Sequence, residues 1–244
     1  MEVHAHSHTA RKKWTHYFWE FLMLFLAVFC GFLAEYQLEH KIEKDREKQY
    51  IQSLLEDLIE DTTSLAETIN IYEENAERMD TFIKLLCSPD VKNKGSDLYY
   101  LGRRASRSDA ISLHDRTFQM KNSGGFRLIR KQKTSQAIIE FYNRMNGVDM
   151  LVKVDFNIRD EYRNTAVHIF HPMLFNNIIA SDNSVIRPGG NPALLTYDSD
   201  HLLTLAGIVA YLKSTRTGIV RACTDMNRAA KELIGLIKEE YHLN

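Results

Sequence analysis

The sequence has little proline and cysteine, and its charge is almost balanced. Only four of the 244 residues are proline, and three of those fall between 172 and 192, so long stretches contain no helix breaker. The three cysteines lack the spacing of a metal site and the number of a disulfide framework, and we predict that Cys87 and Cys223 are not bonded. With 31 Lys+Arg against 32 Asp+Glu, bulk charge does not indicate a nucleic-acid partner.

Catalytic motifs are also missing. The sequence contains no Gly-rich phosphate loop, nucleophile elbow, zinc-protease helix or paired-carboxylate motif. We therefore expect neither an enzyme nor a cofactor.

Residues 17–36 contain no Lys or Arg and predict a single transmembrane helix. Residues 21–33 have no polar side chain, and the flanks extend the run to the roughly 20 residues that cross a ~30 Å hydrocarbon layer. Aromatic side chains at both ends suit the two membrane interfaces. The residues expected to mark the span are Tyr17, Trp19, Phe21, Phe25, Phe29, Gly31, Leu33 and Tyr36.

An apolar run near an amino terminus can also be a cleaved secretory signal, a lipoprotein signal or a core helix of a soluble protein. A cleaved signal is disfavoured because no small-x-small cleavage site follows the run. A lipoprotein signal is disfavoured because Phe29 precedes Cys30, where a small residue is expected. Glu20 supports a soluble core helix, but an ionisable group near the membrane edge costs little.

Orientation rests on basic residues near the span. Arg11, Lys12 and Lys13 are contiguous on the amino-terminal side, whereas four basic residues are spread over 41–48 on the other side. We expect a cytoplasmic amino terminus and a helical domain outside the cytoplasm. Ala27 and Gly31 form a small-xxx-small pair, so we also expect a homo-oligomer or contact with other membrane subunits.

After the span we predict a charged helical stalk at 37–50 and a helical bundle at 51–244, with a short His-rich and basic leader at 1–16. Apolar residues from 51 to 86 recur at alternating spacings of four and three, which is typical of a coiled coil or of helix packing within one bundle. We favour packing within the chain. The seam residues are Ile51, Leu55, Leu58, Leu65, Ile69, Met79, Ile83 and Leu86.

The rest of the bundle is punctuated by turn residues. We predict loops near 87–109 and 180–199, a short helix at 110–122, a helix from Thr134 or Ser135 towards Pro172, and a last helix from Asp198 or Ser199 to about Tyr241. In the helix that runs towards Pro172, Phe156 lies on the apolar stripe and is expected to face the core. In the last helix, Arg216 interrupts the apolar face. The fold class is thus all-α: a transmembrane helix continuing into an elongated antiparallel bundle.

Two basic groups are candidate contacts for an anion or a partner. The first lies among serines and the second follows a Ser-Gly-Gly turn, where backbone N–H groups can form an anion nest. The arginines concerned are Arg103, Arg104, Arg107, Arg127 and Arg130. A plain solvated loop is the alternative. The alternating histidines His4, His6 and His8 are weak candidates for a metal site, and a polar leader is the simpler interpretation.

Two stretches resemble a family of uncharacterised single-span membrane proteins of Bacteroidota. The first is MEVHAH followed by RKKWTHYFWEFLMLFLAVFCGFLAEYQLEHKIEKDREKQYIQSLLEDLIEDT. The second runs from Thr117 to Tyr142, where Lys121, Ser123-Gly124 and the Arg127-Leu128-Ile129 step carry the likeness. The resemblance implies a bacterial single-span protein with a helical exterior domain, and it transfers no activity or catalytic residue.

Three functions are compatible with these observations. The first is a membrane-anchored helical scaffold or accessory subunit of a bacterial envelope complex. The second is an extracytoplasmic ligand-sensing domain that signals through a partner. An enzyme using the group near 103–115 is the least supported.

Overall fold

The computed structural model describes residues 14–107, 111, 113–114 and 125–243, and within these ranges it contains helices but no strand. The predicted all-α class is confirmed. The helices are α1 (Trp14–Leu86), α2 (Gly95–Ala105), α3 (Gln132–Ala166), α4 (Pro172–Asn177) and α5 (Ser199–Tyr241). Short 3-10 turns occupy Val91–Asn93 and Gly125–Leu128.

The chain divides into two units, Met1–Tyr50 and Ile51–Asn244. The first unit contains residues 14–50 of α1. Almost all of these residues are exposed, and Glu47 is the one that is buried. The second contains the rest of α1, all other helices and the hydrophobic core. The division falls where we predict the stalk to end and the bundle to begin.

Helices α3 and α5 form an antiparallel pair in the second unit. The hydroxyl of Thr134, near the start of α3, donates to Glu240 near the end of α5 at 2.5 Å. Further along, Arg216 of α5 donates to Asp155 of α3 at 3.0 Å. The Asp198 carboxylate accepts from the backbone N–H of His201 at 3.2 Å and caps α5, one of the two caps expected.

The carboxyl-terminal part of α1 contributes one face to the core. Met79, Phe82 and Leu86 pack in one cluster with apolar residues of α2 and α5. Six predicted seam residues are buried, whereas Ile69 and Ile83 are only half-buried. After Leu58, at every second position of the predicted seam, the buried residue is the one immediately before it in the sequence. These buried residues are Asp61, Thr68, Asn75 and Phe82.

The predicted loop at 87–109 is wrong for residues 95–105, which form α2. Gly95 and Gly102 favoured a loop, but each serves a close approach within a helix. A Cβ at Gly95 would lie 2.0 Å from the carbonyl oxygen of Pro192, and one at Gly102 would lie 2.6 Å from the Phe170 ring. Tertiary packing, not chain flexibility, accounts for these glycines.

The predicted helix at 110–122 and the predicted loop at 180–199 have different outcomes. Most of the helix lies outside the described residues. Residues 178–198 contain no helix, and an isolated bridge joins Ile179 to Val185.

Candidate functional site

The first candidate site is the apolar surface of α1. An 18-residue window of this helix has a mean hydropathy of 2.0, and none of it is buried against the rest of the described chain. Helix α1 is therefore long and apolar enough to cross a membrane. Every residue that we expected to mark the span is exposed: Tyr17, Trp19, Phe21, Phe25, Phe29, Gly31, Leu33 and Tyr36.

Aromatic side chains run along one face of this helix. Phe25 stacks on Phe21 with ring centres 6.3 Å apart and on Phe29 at 5.9 Å. These residues are spaced four apart, so the rings lie above one another on successive turns. No other part of the described chain covers this apolar window.

The second candidate site is an arginine-lined cleft in the helical domain. Its volume is about 550 Å³, and it opens to solvent. The described residues that line it are Arg103, Ser106, Arg107, Tyr162, Arg163, Ala166, Val167, Phe170, Pro172, Phe175 and Asn176. They come from the end of α2, the end of α3, and α4 with the segment that leads into it.

Arg103 is half-buried at one wall of this cleft. Its guanidinium lies 5.1 Å from the centre of the Phe175 ring, and Nη1 is 3.5 Å from the Ser106 hydroxyl oxygen. Its Nε is buried and has no hydrogen-bond partner among the described residues. Burial, reinforced by the positive charges of Arg107 and Arg163, lowers the pKa of Arg103.

Two further guanidinium groups converge on the same region. Arg163 pairs with Asp160 at 2.6 Å and donates to the backbone carbonyl of Ser106 at 3.4 Å. Arg107 donates to the backbone carbonyl of Asn183. Three arginines thus line the cleft. Among the described residues, only one carboxylate, that of Asp160, pairs with any of these three.

One side of the cleft is aromatic, and Arg103 lies against its Phe175 ring. Phe170 and Phe175 stack with their ring centres 5.0 Å apart and an interplanar angle of 25°. Tyr99 supports Phe170 from behind in an edge-to-face contact at 5.2 Å. The Tyr162 hydroxyl donates to the carbonyl of Gly102 at 2.6 Å, and burial raises the pKa of this phenol. The wall is held by packing and hydrogen bonds, so its shape is fixed before any ligand arrives.

A buried ion network lies behind the cleft. The Asp155 carboxylate accepts from Nε of Arg159 at 2.7 Å and from Nε of Arg216 at 3.0 Å, and all three residues are at most 4% exposed. Arg216 also donates through Nη2 to the backbone carbonyl of Arg107 at 3.0 Å. The network therefore fixes the backbone at the rim of the cleft.

The structure separates the five arginines that the sequence patterns single out. Arg103 and Arg107 line the cleft, whereas Arg104 faces a crevice of about 10 Å³ that Asn75 and Arg216 also line. Arg127 and Arg130 are exposed in the segment before α3 and do not line the cleft. Contact of any of them with an anion or a partner stays a prediction.

No group of three potential metal ligands exists among the residues that the structure describes. His4, His6 and His8 lie outside the described residues. Residues that sequence reasoning missed are Arg163, Asp155 and Arg159. Asp155 and Arg159 were detectable in the sequence, because they form an Asp–Arg pair four residues apart within an apolar stripe. Arg216, which interrupts the apolar stripe of the last helix, was the corresponding signal on the other side.

Comparison with known proteins returns no match to a protein-family model, to a curated protein or to a solved structure.

Proposed function

We propose that this chain is a membrane-anchored helical scaffold or accessory subunit of a bacterial envelope protein complex. The observation that carries the proposal is the bare apolar window of α1, joined to a helical domain that has a core of its own. An apolar helix that no protein surface covers needs lipid or a partner helix around it.

The proposal includes an orientation in the bacterial inner membrane. Arg11, Lys12 and Lys13 adjoin the apolar run, and contiguous basic residues favour the cytoplasmic side. The amino terminus is then cytoplasmic and the helical domain periplasmic. The resemblance to single-span proteins of Bacteroidota supports the same arrangement.

The proposed partners are the lipid bilayer and either a second copy of this chain or other membrane subunits. A Cβ at Gly31 would meet nothing within 4 Å, so this position is open for close approach of another helix. Ala27 lies one turn away on the same face and is also exposed.

A mass measurement tests the proposal. The chain is cross-linked in the membrane and solubilised in mild detergent, and its mass is then measured by size exclusion with light scattering. The expected mass is that of an oligomer or of the chain with a bound partner. Gly31→Leu is expected to weaken the assembly, whereas Phe32→Leu, which points about 100° away around the helix, is the control. A strict monomer without a cross-linked partner contradicts the proposal.

A second candidate function is ligand sensing by the helical domain through a partner. The arginine-lined cleft favours it, because a small-molecule site is concave and has a few convergent polar groups. A thermal-shift screen of the full chain against small anions tests it, since a ligand that binds only the folded state raises the unfolding temperature. No stabilisation by any anion argues against sensing.

A further inference from the structure

The arginine-lined cleft combines two chemistries that a single ligand can satisfy together. We propose that it binds a small diffusible organic anion, with a carboxylate or phosphate head on Arg103, Arg107 and Arg163 and a flat apolar body against Val167, Pro172 and Phe175. This inference rests on the ligand-sensing candidate and is independent of the scaffold and of the orientation.

The charge of the site calls for an anion. Arg103 has no carboxylate partner among the described residues, and its buried Nε points to no acceptor there. The guanidinium of Arg107 donates to one backbone carbonyl among those residues, so its other N–H donors remain available to a ligand. Guanidinium groups present planar, paired N–H donors that match a carboxylate or phosphate.

The convergence of these groups defines where the head binds. Arg103 approaches the Ser106 hydroxyl at 3.5 Å, and Arg163 approaches the Ser106 carbonyl at 3.4 Å. Both contacts are at the long limit of hydrogen bonds, so an anionic oxygen competes with them readily. The Ser106 hydroxyl donates to the carbonyl of Arg103 at 2.7 Å and fixes this corner.

The remainder of the cleft is too large and too apolar for an inorganic anion. Its volume of about 550 Å³ is in the range of small-molecule sites, and inorganic phosphate fills only a fraction of it. Val167 and Pro172 are exposed in the cleft and Phe175 is half-buried, so these three present apolar surface to a ligand, whereas Phe170 and Ala166 are buried beneath it. A flat apolar group on this surface removes hydrophobic area from water as the head is neutralised.

Calorimetric titration of the full chain with phenylphosphate tests the proposal, in nanodiscs of zwitterionic lipid. We expect phenylphosphate to bind about tenfold or more tightly than either inorganic phosphate or phenol, because each lacks one half of the recognised chemistry. Binding should weaken as salt is raised. Absence of binding, or equal affinity for all three compounds, overturns the proposal.

Matched arginine variants localise the binding. Arg163→Gln is expected to weaken phenylphosphate binding about 10- to 100-fold through the loss of a charge-assisted hydrogen bond. Arg228→Gln is the control, because Arg228 also pairs with an Asp three residues earlier but lies outside the cleft. Val167→Glu adds a negative charge at an exposed cleft residue and should weaken binding without removing an arginine. Equal loss in Arg163→Gln and Arg228→Gln refutes the site.

A lipid arm separates a diffusible ligand from a lipid headgroup. In nanodiscs that also contain phosphatidic acid, phenylphosphate affinity should be unchanged. If phosphatidic acid blocks phenylphosphate binding, the cleft holds a lipid and the diffusible ligand is wrong. If other anions stabilise the chain but phenylphosphate does not bind, sensing stands and the named chemistry fails.

Discussion

Asp155 offers the sharpest test of how the helical domain is held together. Asp155 is 2% exposed, and its carboxylate is shared by Arg159 on its own helix and Arg216 on α5. Asp155→Ala leaves two guanidinium groups buried without the charge that balances them. Breaking a buried ion pair in this way costs about 3–5 kcal/mol, mainly the penalty of uncompensated charge. Asp160→Ala, in the same helix, removes only a half-exposed pair with Arg163 and should cost about 0–1 kcal/mol.

Thermal unfolding of the full chain in mild detergent, followed by circular dichroism at a helix band, measures this difference. At roughly 2–4 °C per kcal/mol for a domain of this size, Asp155→Ala should lower the unfolding temperature by ~6–20 °C. Asp160→Ala should lower it by ~4 °C at most. Similar shifts for the two variants would refute the view that the buried network, rather than charge in general, supports the domain.

Two further predictions concern single contacts. Gly95→Ala should destabilise the domain by about 1–3 kcal/mol, because its Cβ would lie 2.0 Å from the Pro192 carbonyl oxygen. Gly235→Ala is the control and should be neutral or stabilising, because a Cβ at Gly235 would meet nothing within 4 Å. Equal losses of unfolding free energy for the two variants in denaturant would contradict this. The hydrogen bond to Asp61 raises the pKa of His114, so its contribution to stability is complete below about pH 6.5 and is lost as pH rises through the higher folded pKa. The unfolding temperature of the wild type should therefore fall relative to that of His114→Gln as pH rises above 6.5, and parallel curves would argue against it.

The sequence patterns predicted the elements whose signals are local. Helix α5 begins and ends within a few residues of the predicted bounds, because Asp198 is a strong cap. Helix α3 begins close to the predicted start but ends at Ala166, six residues before Pro172, and Pro172 begins α4 instead. The bare apolar window follows from the absence of Lys and Arg over 17–36. Arg103 and Arg107 form a basic cluster that is visible in the sequence.

Features that depend on distant contacts were not predictable in this way. Arg163 joins the cleft from another helix, and nothing in its neighbourhood in sequence marks it. Phe156 was expected to face inward, but it is half-exposed, and the charged residues Asp155 and Arg159 occupy the interior. Hydrophobic periodicity places charged residues outside, so it fails where charges neutralise one another across helices.

Arg216 likewise interrupts an apolar face in the sequence but belongs to the interior. Its guanidinium joins Asp155 to the backbone of Arg107, so the network that stabilises the α3–α5 pair also positions one rim of the cleft. Variants of Asp155 are therefore expected to weaken anion binding as well as stability.

Labelling of Cys87 tests the central claim, a single span with the helical domain on the periplasmic side, most directly. Cys87 is exposed, whereas Cys223 is buried and burial raises the pKa of its thiol to about 11, so Cys223 stays unreactive in the folded chain. In a Cys30→Ser variant, a membrane-impermeant maleimide should then report on Cys87 alone.

We predict equal labelling of Cys87 in intact and lysed spheroplasts, with the labelled chain in the membrane pellet after alkaline carbonate extraction. Labelling only after lysis would contradict the orientation. A labelled chain in the carbonate supernatant would contradict the membrane span itself.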